Sequence, residues 1–192
     1  MISFRLALSI GSLGLLATSL SSCLKAPEYP DTPSISFNTI QDIRIPPKAR
    51  GGQPLDSIRM TINYQDGDGD LGLTENDRKS PPFDYQTGTN RFYNNFFVEP
   101  FVKNTATGKY ESLVSRGLTT AGQYNGAFPR PTTTTDNKAA PIKGTLTYAP
   151  IAFGLGDVFQ PGQIVRFEIT IADRKLHLSN TIRTDSVVIP PR

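Results

Sequence analysis

Cysteine, histidine and tryptophan are nearly missing from this chain: its 192 residues include one Cys, one His and no Trp. One cysteine excludes an internal disulfide framework and a cysteine-based zinc site. One histidine excludes a zinc-binding pair, and a lone His177 in a polar stretch beside Lys175 is a poor general base. No G-x-S-x-G nucleophile elbow is present. Two carboxylates would suffice for a glycosidase, but the conspicuous carboxylates all fall in one short segment, where a cation accounts for them better. Charge of one sign is also lacking. The formal net charge is +3, with lysines and arginines scattered, so the chain carries no nucleic-acid footprint. No window keeps a 3.6-residue apolar stripe long enough for a major helix. What the chain has instead is punctuation, 16 Gly and 16 Pro, which argues against a helical bundle. The reading is a non-enzymatic, β-rich protein of one domain.

The first segment is an address. Arg5 supplies a positive start, and Leu6 to Leu20 an apolar stretch diluted by Gly11, Gly14 and several serines. It is too short and interrupted for a membrane span, which takes about 20 predominantly apolar residues. It ends in Leu20-Ser21-Ser22-Cys23, which resembles the lipobox of bacterial lipoproteins. The resemblance implies that residues 1–22 are a signal peptide removed before Cys23. It also implies a diacylglyceryl thioether on the Cys23 sulfur and usually an acyl chain on its amine, several chains together giving a stable anchor. An ordinary secretory signal followed by a buried cysteine is the plain alternative. Residues 23–33 then form a lipidated cysteine and a tether with Pro27, Pro30 and Pro33. Running extended at about 3.1 Å per residue, the tether would hold the domain about 30 Å from the lipid.

Residues 34–192 read as strands. Ile58, Met60, Ile62 and Tyr64 alternate with Ser57, Arg59, Thr61 and Asn63, the period of a strand with one wet face. Val165, Phe167, Ile169 and Ile171 repeat the pattern. Weaker strands are expected over 34–45, with a bend in the middle, and over 95–103, 143–150 and 182–188. Short antiparallel strands joined by Gly/Pro turns describe a β-sandwich, and about seven of them suit an immunoglobulin-like one. Two stretches resist. Residues 80–94 form a long polar insertion, and 115–140 shows little pattern; part of the second is expected to hide a strand.

The segment Asp66-Gly67-Asp68-Gly69-Asp70-Leu71-Gly72 carries the clearest chemistry. Three carboxylates at alternate positions, spaced by glycines, can curl around one hard cation, and calcium takes six to eight oxygens. Against the EF-hand pattern, Asp66, Asp68 and Asp70 fall at the first, third and fifth positions, Gly72 offers a carbonyl and Asp77 stands twelfth. Leu71 where glycine is usual, and Asp rather than Glu at the twelfth place, depart from that pattern. A solvated Asp-Gly turn is the bland reading, yet three aspartates within five residues repel unless something neutralises them. If 55–64 and 164–172 are the second and sixth strands of an immunoglobulin-like sandwich, the loops after them open at one pole. Asp173 is then a further ligand or an orienting residue, and Arg174 a neutralising one. Equally, Asp173 and Asn180 can simply cap their own turn.

The stretch Arg91-Phe92-Tyr93-Asn94-Asn95-Phe96-Phe97 joins rings to amides. Tyr93, Asn94 and Asn95 are accordingly candidates for sugar contact. Lipobox, proline tether, a strand entering DGDGDLGL and a terminal FEITIADR…SNTIRTD hairpin together resemble the small lipoproteins of Bacteroidota. The resemblance implies a bacterial cell-envelope location, anchorage to the outer membrane and a β-sandwich. Leu24 to Glu28 lacks the acidic run that marks export to the surface, leaving periplasmic and surface faces both open. The expected function is a structural or interaction domain held on the bilayer through Cys23, with a Ca²⁺-type site and another envelope protein as partner. A carbohydrate-binding module for an envelope glycan is the alternative.

Overall fold

The computed structural model describes residues 28–47, 52, 54–131, 139–153 and 158–191. The signal segment and Cys23 lie outside the described residues. Two antiparallel sheets pack face to face. One holds β1 (Ser34–Ile45), β2 (Leu55–Asp66) and β5 (Ile142–Phe153) in the order β1-β2-β5. The other holds β3 (Phe96–Lys103), β4 (Tyr110–Ser112), β6 (Ile164–Ile171) and β7 (Ile182–Arg183) in the order β4-β3-β6-β7, and β8 (Val187–Val188) also pairs with β6. The fold is a β-sandwich. Among the described residues helix is confined to three single 3₁₀ turns, at Asp77–Lys79, Gln86–Gly88 and Arg91–Tyr93.

Parity builds the core. Along β2 the inward positions run Asp56, Ile58, Met60, Ile62, Tyr64 and Asp66, and along β6 Val165, Phe167, Ile169 and Ile171. These meet Phe96, Val98 and Val102 of β3, with Ile35, Leu113, Phe128 and Phe159 closing the margins. Burying each such side chain stabilises the fold by about 1.5–3 kcal/mol. The bend expected in β1 is a register shift between Phe37 and Thr39. The single last strand expected at 182–188 is two short pieces, because Thr184 turns inward. Its hydroxyl accepts from the Phe167 amide at 3.0 Å, breaking the run.

Among the described residues of 115–140 the expected strand is not found, and 132–138 lie outside the described residues. Among the described residues of that stretch only Gly126 pairs, as an isolated bridge to Phe96. The missed strand, β4, lies just before it, and its three residues are too few to show a period. The tether reading also changes at its end. The Gly67 amide donates to the Pro30 carbonyl at 2.9 Å, so Tyr29 and Pro30 lie against the acidic loop rather than running free.

Candidate metal centre

Asp66 is the last inward position of β2, so the parity that builds the core also carries a carboxylate to its edge, fully buried. The backbone then reverses through Gly67 and Gly69. Gly69 sits at φ +70°, where an L side chain is strained. A Cβ on Gly67 would come within 2.2 Å of the Tyr29 carbonyl oxygen, and one on Gly69 within 2.4 Å of that of Ala140. The loop is therefore clamped from two sides. The Asp70 amide donates to Asp66 Oδ2 at 2.9 Å, and the Ala140 amide to the Asp68 carbonyl at 3.2 Å.

This clamping gathers Asp66, Asp68 and Asp70, each with a carboxylate oxygen within 4.8 Å of the others'. Oδ1 of each of the three is buried and has no hydrogen-bond partner. Leaving buried polar atoms unpaired is costly, and here they belong to three gathered carboxylates of one sign. Burial first, then the Asp68 charge, pushes the Asp66 carboxyl up to about 7. Burial, then Asp173 and Asp68, pushes Asp70 up to about 6. Asp68 behaves differently. Burial opposes its charge too, but the Lys175 ammonium, 2.5 Å from Oδ2, outweighs that and holds it below the ordinary carboxylate value.

Asp173 arrives by the same parity from β6, two residues after Ile171, and its side chain is fully buried. Leu71 pairs with it as an isolated antiparallel bridge, so the loops after β2 and β6 do meet. Asp173 nevertheless stands outside the three-oxygen group. Its Oδ1 accepts from the His177 amide at 2.7 Å and its Oδ2 lies 2.8 Å from the His177 ring Nδ1, closing its own turn. Arg174 does not neutralise an aspartate by direct contact: its guanidinium donates to the Leu71 carbonyl at 3.1 Å. Lys175 takes that part. Asn180 does not cap the turn either. It clasps β1 instead, accepting from the Ile35 amide and donating to the Ile35 carbonyl, both at 2.9 Å.

The twelve-residue EF-like loop shrinks to its first five positions. Leu71 and Leu73 are core residues, and Gly72, at φ +84°, packs against the backbone of Pro129 and Arg130. Asp77, expected as the twelfth ligand, accepts from the Thr74 amide at 2.7 Å and from Arg130 Nη2 at 3.0 and 3.1 Å. Those bonds outweigh burial and hold its carboxyl below the ordinary value. The orienting residues that sequence reasoning missed are Lys175, Tyr29 and Ala140. The first had a signal, a cation two residues beyond the inward parity of β6; the others are backbone contacts with none.

The sugar candidates separate. Asn95, which immediately precedes β3, is buried, donating to the Phe128 carbonyl at 3.3 Å and accepting from the Phe128 amide at 2.8 Å. Tyr93 is covered by Arg78, 3.8 Å over its ring, and by the edge of Tyr85. Only Asn94 faces a surface groove. No family model matches the chain, and no curated protein or solved structure shows significant similarity to it.

Proposed function

We propose that this chain is a membrane-anchored lipoprotein of the bacterial cell envelope whose β-sandwich serves as a structural or interaction domain. A Ca²⁺-type ion bound by Asp66, Asp68 and Asp70 sits at the end of β2 and in the loop that follows it, and the Lys175 bond to Asp68 joins that loop to the one after β6. One observation carries the cation reading: three aspartates gather carboxylate oxygens within 4.8 Å of one another, and each of the three keeps a buried oxygen without a partner. Charge supports it. Three aspartates and the bonded Lys175 sum to −2, which a divalent ion neutralises. The oxygens oriented by protein donors are Oδ2 of Asp66 and of Asp68, leaving the Oδ1 set for the ion. Calcium fits oxygen ligands completed by water or carbonyl groups, and Mg²⁺, with its tighter octahedron, fits less well. The pairing orders β1-β2-β5 and β4-β3-β6-β7 support an immunoglobulin-like sandwich with β2 and β6 as second and sixth strands.

The anchor reading rests on Leu20-Ser21-Ser22-Cys23. Among the described residues no helix is long and apolar enough to cross a membrane. Tyr29 docks on the acidic loop six residues after Cys23, a reach of at most about 22 Å. The acidic pole is thus the end turned toward the bilayer, and the far loops are left for a partner such as another envelope protein. Calorimetric titration of the purified protein with CaCl₂ tests the ion site; absence of heat at millimolar calcium overturns it. Acyl labelling of Cys23→Ser tests the anchor. Loss of label with an uncleaved precursor is expected, and a normally matured, membrane-bound variant overturns the assignment.

A further inference from the structure

The outer face of the β4-β3-β6-β7 sheet carries a groove of about 580 Å³. Phe97 and Glu99 of β3 and Glu168 and Thr170 of β6 form its floor, and the segments 88–94 and 120–125 wall it. That volume lies within the range of ligand sites. Both walls come from stretches with little hydrophobic pattern.

Most polar groups in the lining are already engaged. Asn90 donates to the Pro82 and Asp84 carbonyls, Asn125 accepts from the Val98 amide, and the Thr170 and Thr181 hydroxyls bond each other at 2.9 Å. Glu99 and Glu168 on the floor are bonded too, but their charge is not fully balanced. They face each other in register across β3 and β6, where like charges destabilise a sheet. Arg183 Nε, 2.8 Å from Glu168, balances one charge, and among the described residues the Glu99 carboxylate has only the Ser112 hydroxyl. One negative charge is left over. The opposite end carries the complement. Arg91 is exposed, lies 4.5 Å over the Phe97 ring, and its guanidinium has no hydrogen bond or ion pair among the described residues. Stacking on the ring holds the guanidinium plane while leaving its donors outward.

The groove therefore offers an anion pair, the Asn94 amide and a free guanidinium. Phe97 and Glu99 are two residues apart on one face, about 7 Å. An extended dipeptide spans about the same distance. Aromatic platforms for a sugar are wanting: Phe97 is only 7% exposed under Arg91, and Tyr124 packs on Phe159. We propose that this groove binds a short, extended, zwitterionic peptide of two or three residues. Its ammonium rests between Glu99 and Glu168, and its carboxylate meets Arg91. This site is separate from the acidic loop and stands whether or not that loop holds an ion.

The probe is trialanine, titrated calorimetrically into the full chain at neutral pH. Saturable binding is expected. N-acetylation and C-terminal amidation of the probe should each weaken it about tenfold, the scale of one charge-assisted contact. Glu99→Gln, which keeps the Ser112 bond, should erase the preference for the free amine, with Glu168→Gln as a second variant. Arg91→Met, which keeps a chain over Phe97, should erase the preference for the free carboxylate. Unchanged melting temperatures separate these losses from misfolding, and the blocked probes need no variant at all. No binding of trialanine at 10 mM (about the weakest affinity worth calling a site) overturns the proposal. So does equal binding of the doubly blocked peptide, or binding of cellotriose in place of trialanine, which makes the groove a glycan site.

Discussion

Asp77 and Asp173 differ from Asp66, Asp68 and Asp70 in what the fold gives them, although all five belong to the same two loops. Each of the first two has both carboxylate oxygens satisfied, Asp77 by Thr74 and Arg130, Asp173 by the amide and ring of His177. The other three each keep one buried oxygen with no partner. Acidity alone does not distinguish the groups, and neither does burial, since Asp173 is as enclosed as Asp66. The distinguishing feature is unfinished hydrogen bonding on carboxylates that gather. Carboxylates with their own donors need no ion, whereas three without them form a site whose charge has still to be met.

The largest expected consequence is a stability that depends on pH in opposite senses with and without the ion. Asp66 has an ordinary value of 3.8 and is pushed up to about 7 by burial and Asp68. Without a cation, the folded protein therefore holds a proton that the unfolded chain releases. Stability should be greatest near pH 4 and fall as pH rises toward 7, with Asp70 adding to the loss up to about 6. The loss from Asp66 is on the order of a few kcal/mol. Asp68 and Asp77, whose values are lowered, act in the other sense but only below about pH 4. Calcium binds the ionised set, so in its presence the decline between pH 4 and 7 should flatten or reverse. Urea midpoints at pH 4.5 and 7.5, in chelator and in calcium, measure this. Parallel curves would mean that the three oxygens face nothing.

A smaller effect follows at fixed pH. An ion that binds only the folded state adds about 2.7 kcal/mol at a hundredfold excess over Kd. For a chain of this size that raises Tm by about 5–10 °C. Asp68→Ala should abolish the rise, because it removes one of the three free oxygens. Mg²⁺ should produce less of it. A calcium-induced rise that survives Asp68→Ala would place the ion elsewhere.

The β-sandwich follows from alternation in β2 and β6, and the same alternation, carried two residues further, buries Asp66 and Asp173. Strand parity is a local rule, so both placements can be read from the chain. β4 and the two pieces 182–183 and 187–188 are too short to show a period, and Thr184 interrupts the latter through a side-chain bond to the neighbouring strand β6. The partition of the aspartates is likewise beyond local rules. Arg130 lies 53 residues from Asp77, and Lys175 lies 107 from Asp68. Spacing alone cannot show which carboxylate such a cation will reach. The EF-hand spacing placed Asp77 as a ligand because it counts residues. In the fold, Leu71 and Leu73 enter the core and turn the chain away after the fifth position.

Asp77→Ala gives the smallest effect and separates the two groups most directly. The variant loses the acceptor for the Thr74 amide and leaves the Arg130 guanidinium, 33% exposed, without its carboxylate. Losing a cap of this kind costs about 1 kcal/mol, and the half-exposed ion pair adds little. Tm should therefore drop by about 2–4 °C in chelator. The calcium-induced rise should remain at its full size, since no free oxygen has been removed from the Asp66, Asp68 and Asp70 set. Arg130→Met should reproduce the drop in part while leaving the calcium response alone. Melting curves of the two variants in chelator and in calcium decide the matter. Should Asp77→Ala erase the rise as Asp68→Ala does, the ion is held by the full twelve-residue segment and the division among the aspartates fails.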